Sequence, residues 1–347
     1  MTQSRSSTRH ILAGLLLVAS LGACAADESA ALGKLNVDAK RISVAGLSSG
    51  AYMATQSQLA WPERFSAAAL VAGGPWGCAD GDLMVALGSC MKGSPAPDIP
   101  ALVARAQERS KKGDIGPLTA LADSKVYVLH GSADGVVAAN VGKDAAGFYE
   151  ALRAAMPALK GLQVTYDGKR DFGHNLPVAG KGDDCALSQS PFLGHCGFDA
   201  AQAIFEDFYG KPAHAVADAG GELRSFAQKP YEAEGKPALL ADNGYVYVPK
   251  SCAAGKACGV MVVFHGCKQN AEAIGETFVR DAGFNRWADA YDVAVLYPQT
   301  KASFAPLNPQ ACWDWWGYSG ADYDSRSGAQ QQWLINALTA LGVAKPD

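Results

Sequence analysis

Ser48 stands in Gly46-Leu47-Ser48-Ser49-Gly50, a G-x-S-x-G pentapeptide. A serine hydroxyl is a weak nucleophile on its own. It attacks a carbonyl carbon when a base takes its proton, a third group orients that base, and N–H donors hold the developing oxyanion. Those needs direct the search through the rest of the chain, which has six histidines. His10 lies in an N-terminal leader, His214 has no motif around it, and His195 sits beside Cys196 in a small cysteine-bounded loop. His174 lies in Asp171-Phe-Gly-His-Asn-Leu-Pro177, a glycine-bearing loop free to carry an imidazole to a serine. The acid is read from Tyr127-Val-Leu-His-Gly-Ser-Ala-Asp134, where an apolar run ends and Asp134 follows in the loop. Catalytic groups collect at the carboxyl ends of strands in open α/β sheets. Asp134 before Gly135 is also ordinary turn chemistry. The order Ser48, Asp134, His174 is the triad order of an α/β-hydrolase and favours the catalytic reading.

The oxyanion donors follow from the same template. One is expected at the residue after the nucleophile, the backbone N–H of Ser49. The second is expected after an apolar strand that ends in His-Gly. Residues 260–264 run apolar into His265-Gly266-Cys267, so the Cys267 N–H is the candidate. The alternative for His265 is a purely local role in ending the strand.

The elements that must position these groups read as alternating strands and helices. Strands are expected at 41–45, 67–72, 125–130, 162–166, 244–249, 259–265 and 293–297. Helices are expected at 51–60, 101–111, 141–154, 200–209, 271–278, 285–291 and 328–341. This alternation predicts a mostly parallel central sheet with helices on both faces, and the pentapeptide then occupies a strand-to-helix turn, the setting of a nucleophile elbow. The segment 210–240 is the least patterned and marks a junction between halves. The strand that feeds the oxyanion loop ordinarily precedes the nucleophile, yet here it comes long after Ser48. A circularly permuted α/β-hydrolase fold accounts for this, with the half at about 235–341 moved behind the half at about 40–209; chain ends of domains commonly lie close together.

Length, charge and cysteine content bound the rest. The 347 residues are 49% hydrophobic and 18% charged, with a net charge of −4, which gives no electrostatic reason to expect a nucleic acid or an anionic membrane as partner. Residues 1–25 read as a secretory signal peptide: Arg5 and Arg9, an apolar run at 11–21, then small residues. Ala23-Cys24-Ala25 fits a cleavage site, and Leu21-Gly-Ala-Cys24 also fits a lipobox that would make the protein an outer-membrane lipoprotein through Cys24. Residues 27–347 are then one catalytic domain, secreted, expected to be monomeric and without a membrane span. Of nine cysteines, eight follow Cys24, an even count that implies disulfides in an exported protein. Sequence proximity suggests Cys78–Cys90, Cys185–Cys196 and Cys252–Cys258, which leaves Cys267–Cys312. No C-x-x-C or H-x-x-x-H spacing supports a metal site, and the chemistry needs no metal or organic cofactor.

Several stretches together resemble the esterase/poly(3-hydroxybutyrate) depolymerase family, in particular its circularly permuted, single-domain secreted members. They are Arg41-Ile-Ser-Val-Ala-Gly-Leu-Ser-Ser-Gly50, His130-Gly-Ser-Ala-Asp134, Gly173-His174, Phe264-His-Gly-Cys-Lys-Gln-Asn270, Leu296-Tyr-Pro-Gln299 and Cys312-Trp-Asp-Trp-Trp316. The resemblance implies Ser48, Asp134 and His174 as triad, Ser49 and Cys267 as oxyanion donors, and hydrolysis of short-chain hydroxyalkanoate polyesters or oligoesters through an acyl-enzyme. On this reading no linker and no separate polymer-binding domain are expected after the catalytic domain, and adsorption to solid polyester is then expected to fall to the domain's own surface. Trp313 and Trp315 alternate as on a strand, with Trp316 facing the other way. Trp315 and Trp316 are candidates to line the ester-binding crevice, against the alternative of core packing. Two other functions fit part of this pattern: a carbohydrate esterase acting on feruloyl or acetylxylan groups, and a non-catalytic surface protein that binds polymer.

Overall fold

The computed structural model describes residues 1–3, 31–212 and 218–344. The rest of the expected leader, with Cys24 and both cleavage readings, lies outside the described residues, as does His214. Eight strands form the central sheet: β1 (Val37–Leu47), β2 (Ala67–Val71), β3 (Lys125–Leu129), β4 (Gln163–Asp167), β5 (Glu222–Ala227), β6 (Asn243–Val248), β7 (Cys258–Phe264) and β8 (Val293–Tyr297). Their spatial order is β4-β3-β2-β1-β7-β8-β6-β5. All neighbours from β4 to β8 run parallel, while β6 is antiparallel to β8 and β5 to β6.

The central strands are apolar at nearly every position because both faces of the sheet are covered. In β7, Val260, Val262 and Phe264 point into one core, and Met261 and Val263 into the other. That alternation follows from the two-residue period of a strand. Helices α1 (Ser49–Ala60), α2 (Ile99–Lys112), α3 (Ala139–Ala155) and α6 (Ala329–Leu341) cover the first face. Helices α4 (Ala200–Tyr209) and α5 (Phe284–Tyr291) cover the second. Helix α1 has no solvent-facing side, since every residue from Ser49 to Ala60 is buried.

The two halves of the sequence meet at the centre of the sheet, where β1 pairs with β7. The ends of the described chain meet as well: the Leu35 N–H donates to the Leu341 carbonyl at 2.8 Å, and the Leu32 N–H to the Tyr231 hydroxyl at 3.0 Å. That proximity is what a circular permutation requires, since in the unpermuted order the chain would run from α6 directly into β1.

Two expectations fail. Residues 271–278 do not make one helix: Ala271–Ile274 and Thr277–Asp281 are separate, because Gly275 takes a left-handed φ of 61° between them. The unpatterned stretch 210–240 contains β5, an edge strand whose side chains are mostly half-exposed, so it lacks the apolar alternation that would announce it. The structure joins Cys78 to Cys90, Cys185 to Cys196, Cys252 to Cys258 and Cys267 to Cys312. Among the described residues no helix is long and apolar enough to cross a membrane.

Leu341 closes this seam and is fully buried. Leu341→Ala is expected to lower stability by about 2–5 kcal/mol, read from the shift in denaturant midpoint at unchanged slope.

Candidate active site

Ser48 sits between β1 and α1 with φ 57° and ψ −119°, a conformation a serine adopts only under constraint. The constraint is visible in its neighbours. Its N–H donates to the Val71 carbonyl at 2.9 Å, while its own carbonyl accepts from Ala51 at 2.9 Å and Tyr52 at 3.2 Å. A Cβ at Gly46 would overlap the Gly50 carbonyl, and one at Gly50 would overlap the carbonyl oxygens of Phe264 and His265. The glycines of the pentapeptide are therefore demanded by close backbone approach, and the tight turn lifts the Ser48 side chain into a cavity.

That cavity holds about 480 Å³ and is lined by Ser48, Ser49, His174, Cys267, Trp315 and Trp316 among others. His174 Nδ1 lies 2.7 Å from Asp134 Oδ2. A carboxylate only accepts, so Nδ1 carries the proton and Nε2 is left free to take one. Asp134 is held in turn by the N–H groups of Val136 at 2.8 Å and Val137 at 2.9 Å, both on Oδ1. Burial pushes the Asp134 carboxyl up, but the hydrogen bond and charge of His174, the nearby His130 and the Val137 N–H together hold it below the usual carboxylate range. No hydrogen bond joins the Ser48 hydroxyl to His174 among the described residues; such contacts often tighten only when substrate is bound.

Neither the Ser49 nor the Cys267 N–H donates a hydrogen bond among the described residues. Ser49 is the first residue of α1, so its amide has no partner within the helix, and the helix N-terminus favours negative charge at that point. Cys267 follows Gly266 in the loop after β7, and its disulfide to Cys312 ties the loop to residues that line the same cavity. His265 is fully buried behind this loop. Its Nε2 accepts from the Thr300 backbone N–H at 3.2 Å, and its Nδ1 lies 2.7 Å from the Gly266 carbonyl. An amide can only donate, so Nε2 is bare and Nδ1 bears the proton.

Trp315 and Trp316 do line the cavity, whereas residues 312–316 form no strand, contrary to the expected alternation. Trp313 is buried and packs edge-on against Phe264, with ring centroids 4.8 Å apart. Trp315 stacks on Tyr52 at 4.4 Å. His195 is exposed, with Nδ1 near the Gly180 carbonyl, and takes no part in the cavity. Sequence reasoning missed Tyr52, Phe192 and the apolar residues Leu83, Leu87, Met91 and Leu307, all of which line it. Tyr52 could have been found, because it lies one helical turn from Ser48 on the same face of α1. Phe192, edge-on to His174 at 6.3 Å, lies in the loop before the short strand Leu193–His195 and has no such spacing. Among the described residues no group of three or more His, Cys, Asp or Glu side chains could hold a metal ion.

The family model described as Esterase PHB depolymerase matches residues 243–341. A poly(3-hydroxybutyrate) depolymerase of Delftia acidovorans is 35% identical over 303 residues, covering 85% of this chain and 58% of the relative. The chain thus spans little more than half of that protein. A polyhydroxybutyrate depolymerase of Talaromyces funiculosus is 34% identical over 330 residues, covering 90% of this chain and 92% of the relative. Two solved structures superpose with a TM-score of 0.76 and cover 90% of this chain and 98% of their own: a PHB depolymerase variant complexed with an R3HB trimer, 29% identical, and PHB depolymerase from Penicillium funiculosum, 31% identical.

Burial drives the His265 pKa from 6.5 down to about 4. Above pH 6.5 its folded and unfolded forms are both neutral, and stability is unaffected. Between those two values the unfolded imidazole holds a proton the folded one lacks, so stability falls as the pH drops, by about 3 kcal/mol in all. Denaturant unfolding at stepped pH is expected to show this slope in the wild type and a shallower one in His265→Asn.

Proposed function

The chain belongs to the esterase/PHB depolymerase family, and from that footing we propose that it is a serine esterase cleaving poly(3-hydroxybutyrate) and its oligomers. The observation that carries this reading is a single cavity that contains a strained serine, a carboxylate-oriented imidazole and two unpartnered amides. In this mechanism Ser48 attacks the ester carbonyl as His174 Nε2 takes its proton. Asp134 keeps the imidazole in the required tautomer and stabilises the imidazolium. The tetrahedral oxyanion accepts from the Ser49 and Cys267 N–H groups. His174 then protonates the departing hydroxyl, and a water activated by the same nitrogen releases the acyl group from Ser48.

The walls favour an aliphatic polyester over a decorated polysaccharide. Leu83, Leu87, Met91, Val136, Leu307 and the two tryptophans give the cavity a predominantly apolar lining. Leu87 and Leu307 of this lining are themselves exposed, at 46% and 54%, and beside the lining stand Met84, which follows Leu83 and is 74% exposed, and Phe304, which pairs with Leu307 and is 87% exposed. A sugar chain would call for more hydrogen-bonding groups there, whereas a polyester surface is matched by apolar contact. The apolar rim also supplies, within the catalytic domain, a surface that can meet solid polymer. We further propose that the protein is exported, since eight cysteines in four disulfides suit an oxidising compartment. Intact mass of the mature protein separates free secretion from lipid attachment at Cys24.

Ser48→Ala is expected to lose ester hydrolysis by on the order of 10⁴-fold or more, and to stop labelling by a fluorophosphonate. Wild-type turnover by that variant would overturn the reading, and faster release of feruloyl or acetyl groups from xylan than of hydroxybutyrate from film would reassign the substrate. Replacing Met84 and Phe304 together by Ser is expected to slow clearing of a polymer film while leaving hydrolysis of a soluble butyrate ester unchanged.

A further inference from the structure

We infer that His265 and Gln269 are positioning residues that clamp the Gly266 backbone from two sides and thereby aim the Cys267 N–H at the substrate oxyanion. The inference rests on the esterase reading above. It starts from the fact that a trans peptide is planar, so the C=O of Gly266 and the N–H of Cys267 point in opposite directions. Whatever holds that carbonyl also directs that amide.

His265 holds the carbonyl. The Thr300 N–H at 3.2 Å forces Nε2 to be the acceptor, and the Thr300 hydroxyl is committed to the Ala311 carbonyl at 2.6 Å. The proton on Nδ1 is therefore directed at the Gly266 carbonyl, 2.7 Å away and on the buried side of the loop. The Cys267 N–H, in the same peptide unit, faces away from the imidazole; it has no partner among the described residues, and Cys267 lines the cavity.

Gln269 holds the peptide one step earlier. Its Oε1 accepts from the Gly266 N–H at 2.7 Å, and its Nε2 donates to the Pro191 carbonyl at 2.8 Å and the Phe192 carbonyl at 3.3 Å. Phe192 packs edge-on to His174, and its carbonyl also accepts from the Leu176 N–H at 2.9 Å. Gln269 thus binds the oxyanion loop, from the second half of the chain, to the segment carrying the base, from the first half. It is buried, so each of its polar atoms left unpaired would be costly, which keeps the clamp shut.

A clamp of this kind acts on the transition state and not on the bound ester, because the oxyanion forms only on attack. The test uses the full-length protein with a soluble butyrate ester. An Asn amide nitrogen falls where Nδ1 of His lies, and a Gln amide nitrogen where Nε2 lies. His265→Asn keeps the donor to Gly266 and is expected to retain kcat within a few-fold. His265→Gln loses that donor and is expected to lower kcat toward the loss of one oxyanion donor, about 10²–10³-fold, with KM little changed. Affinity for an alkyl boronic acid, whose tetrahedral adduct on Ser48 places an oxygen in the same position, should weaken in parallel. Gln269→Met, with His265 intact, should give the same loss confined to kcat.

A folded His265→Gln or Gln269→Met with wild-type kcat, or His265→Asn falling as far as His265→Gln, overturns the clamp. So does a ¹⁵N chemical shift in the wild type showing His265 protonated on Nε2, a measurement that needs no variant to fold. Ser48→Ala assayed alongside keeps the two readings apart. If it is inactive while His265→Gln is fully active, only the clamp falls; if it is fully active, the esterase reading falls.

Discussion

The parallel pairing of β1 with β7 is the constraint on which the rest of the structure depends. In its register Gly46 lies opposite Phe264, so the two strands end side by side. One carries straight on into Ser48 and the other into His265-Gly266-Cys267. The proposed nucleophile and the proposed oxyanion loop are therefore neighbours because two carboxyl strand ends are neighbours, although the residues lie far apart in sequence. Both strands are buried on both faces, so a slip in register would be resisted by two cores at once.

That closeness has a steric consequence which the chain meets with glycine. The start of α1 lies against the end of β7, and a side chain at Gly50 would collide with the backbone there. The strained Ser48 backbone is sustained by the hydrogen bonds around it and by a helix buried along its whole length. Strain of about 1–3 kcal/mol at such a residue persists only where its surroundings over-determine it. The same economy governs the other side of the cavity, where a disulfide, a buried imidazole and a buried amide side chain converge on two consecutive loop residues, Gly266 and Cys267.

The groups proposed to do chemistry could be named from sequence because their local settings are short-range. G-x-S-x-G after an apolar strand, His-Gly-Ser-x-Asp after another, and Gly-His in a loop are each decided by a few adjacent residues. The permuted order was legible too, since a strand that ends in His-Gly normally comes before the nucleophile. The walls of the cavity were not. Leu83, Leu87, Met91, Phe192 and Leu307 come from helices of four or five residues, a two-residue strand and a loop, elements too short for apolar spacing to say which way their side chains face. The edge strand β5 escaped for a related reason, its side chains being half-exposed on both faces. Gly275 ended a helix that apolar periodicity would have continued.

The sequence by itself determined the alternating strands and helices and pointed to the proposed catalytic groups: a serine, an imidazole, a carboxylate and two amides, in α/β-hydrolase order. Only the tertiary structure decided that Trp313 belongs to the core while Trp315 and Trp316 face the cavity, that exposed Leu87 and Leu307 join its wall, and that His265 and Gln269 both bond to the Gly266 backbone. The reason is physical. Backbone geometry and periodicity act over a handful of residues, whereas a cavity wall or a two-sided clamp is made of contacts between segments that only the packed sheet brings together.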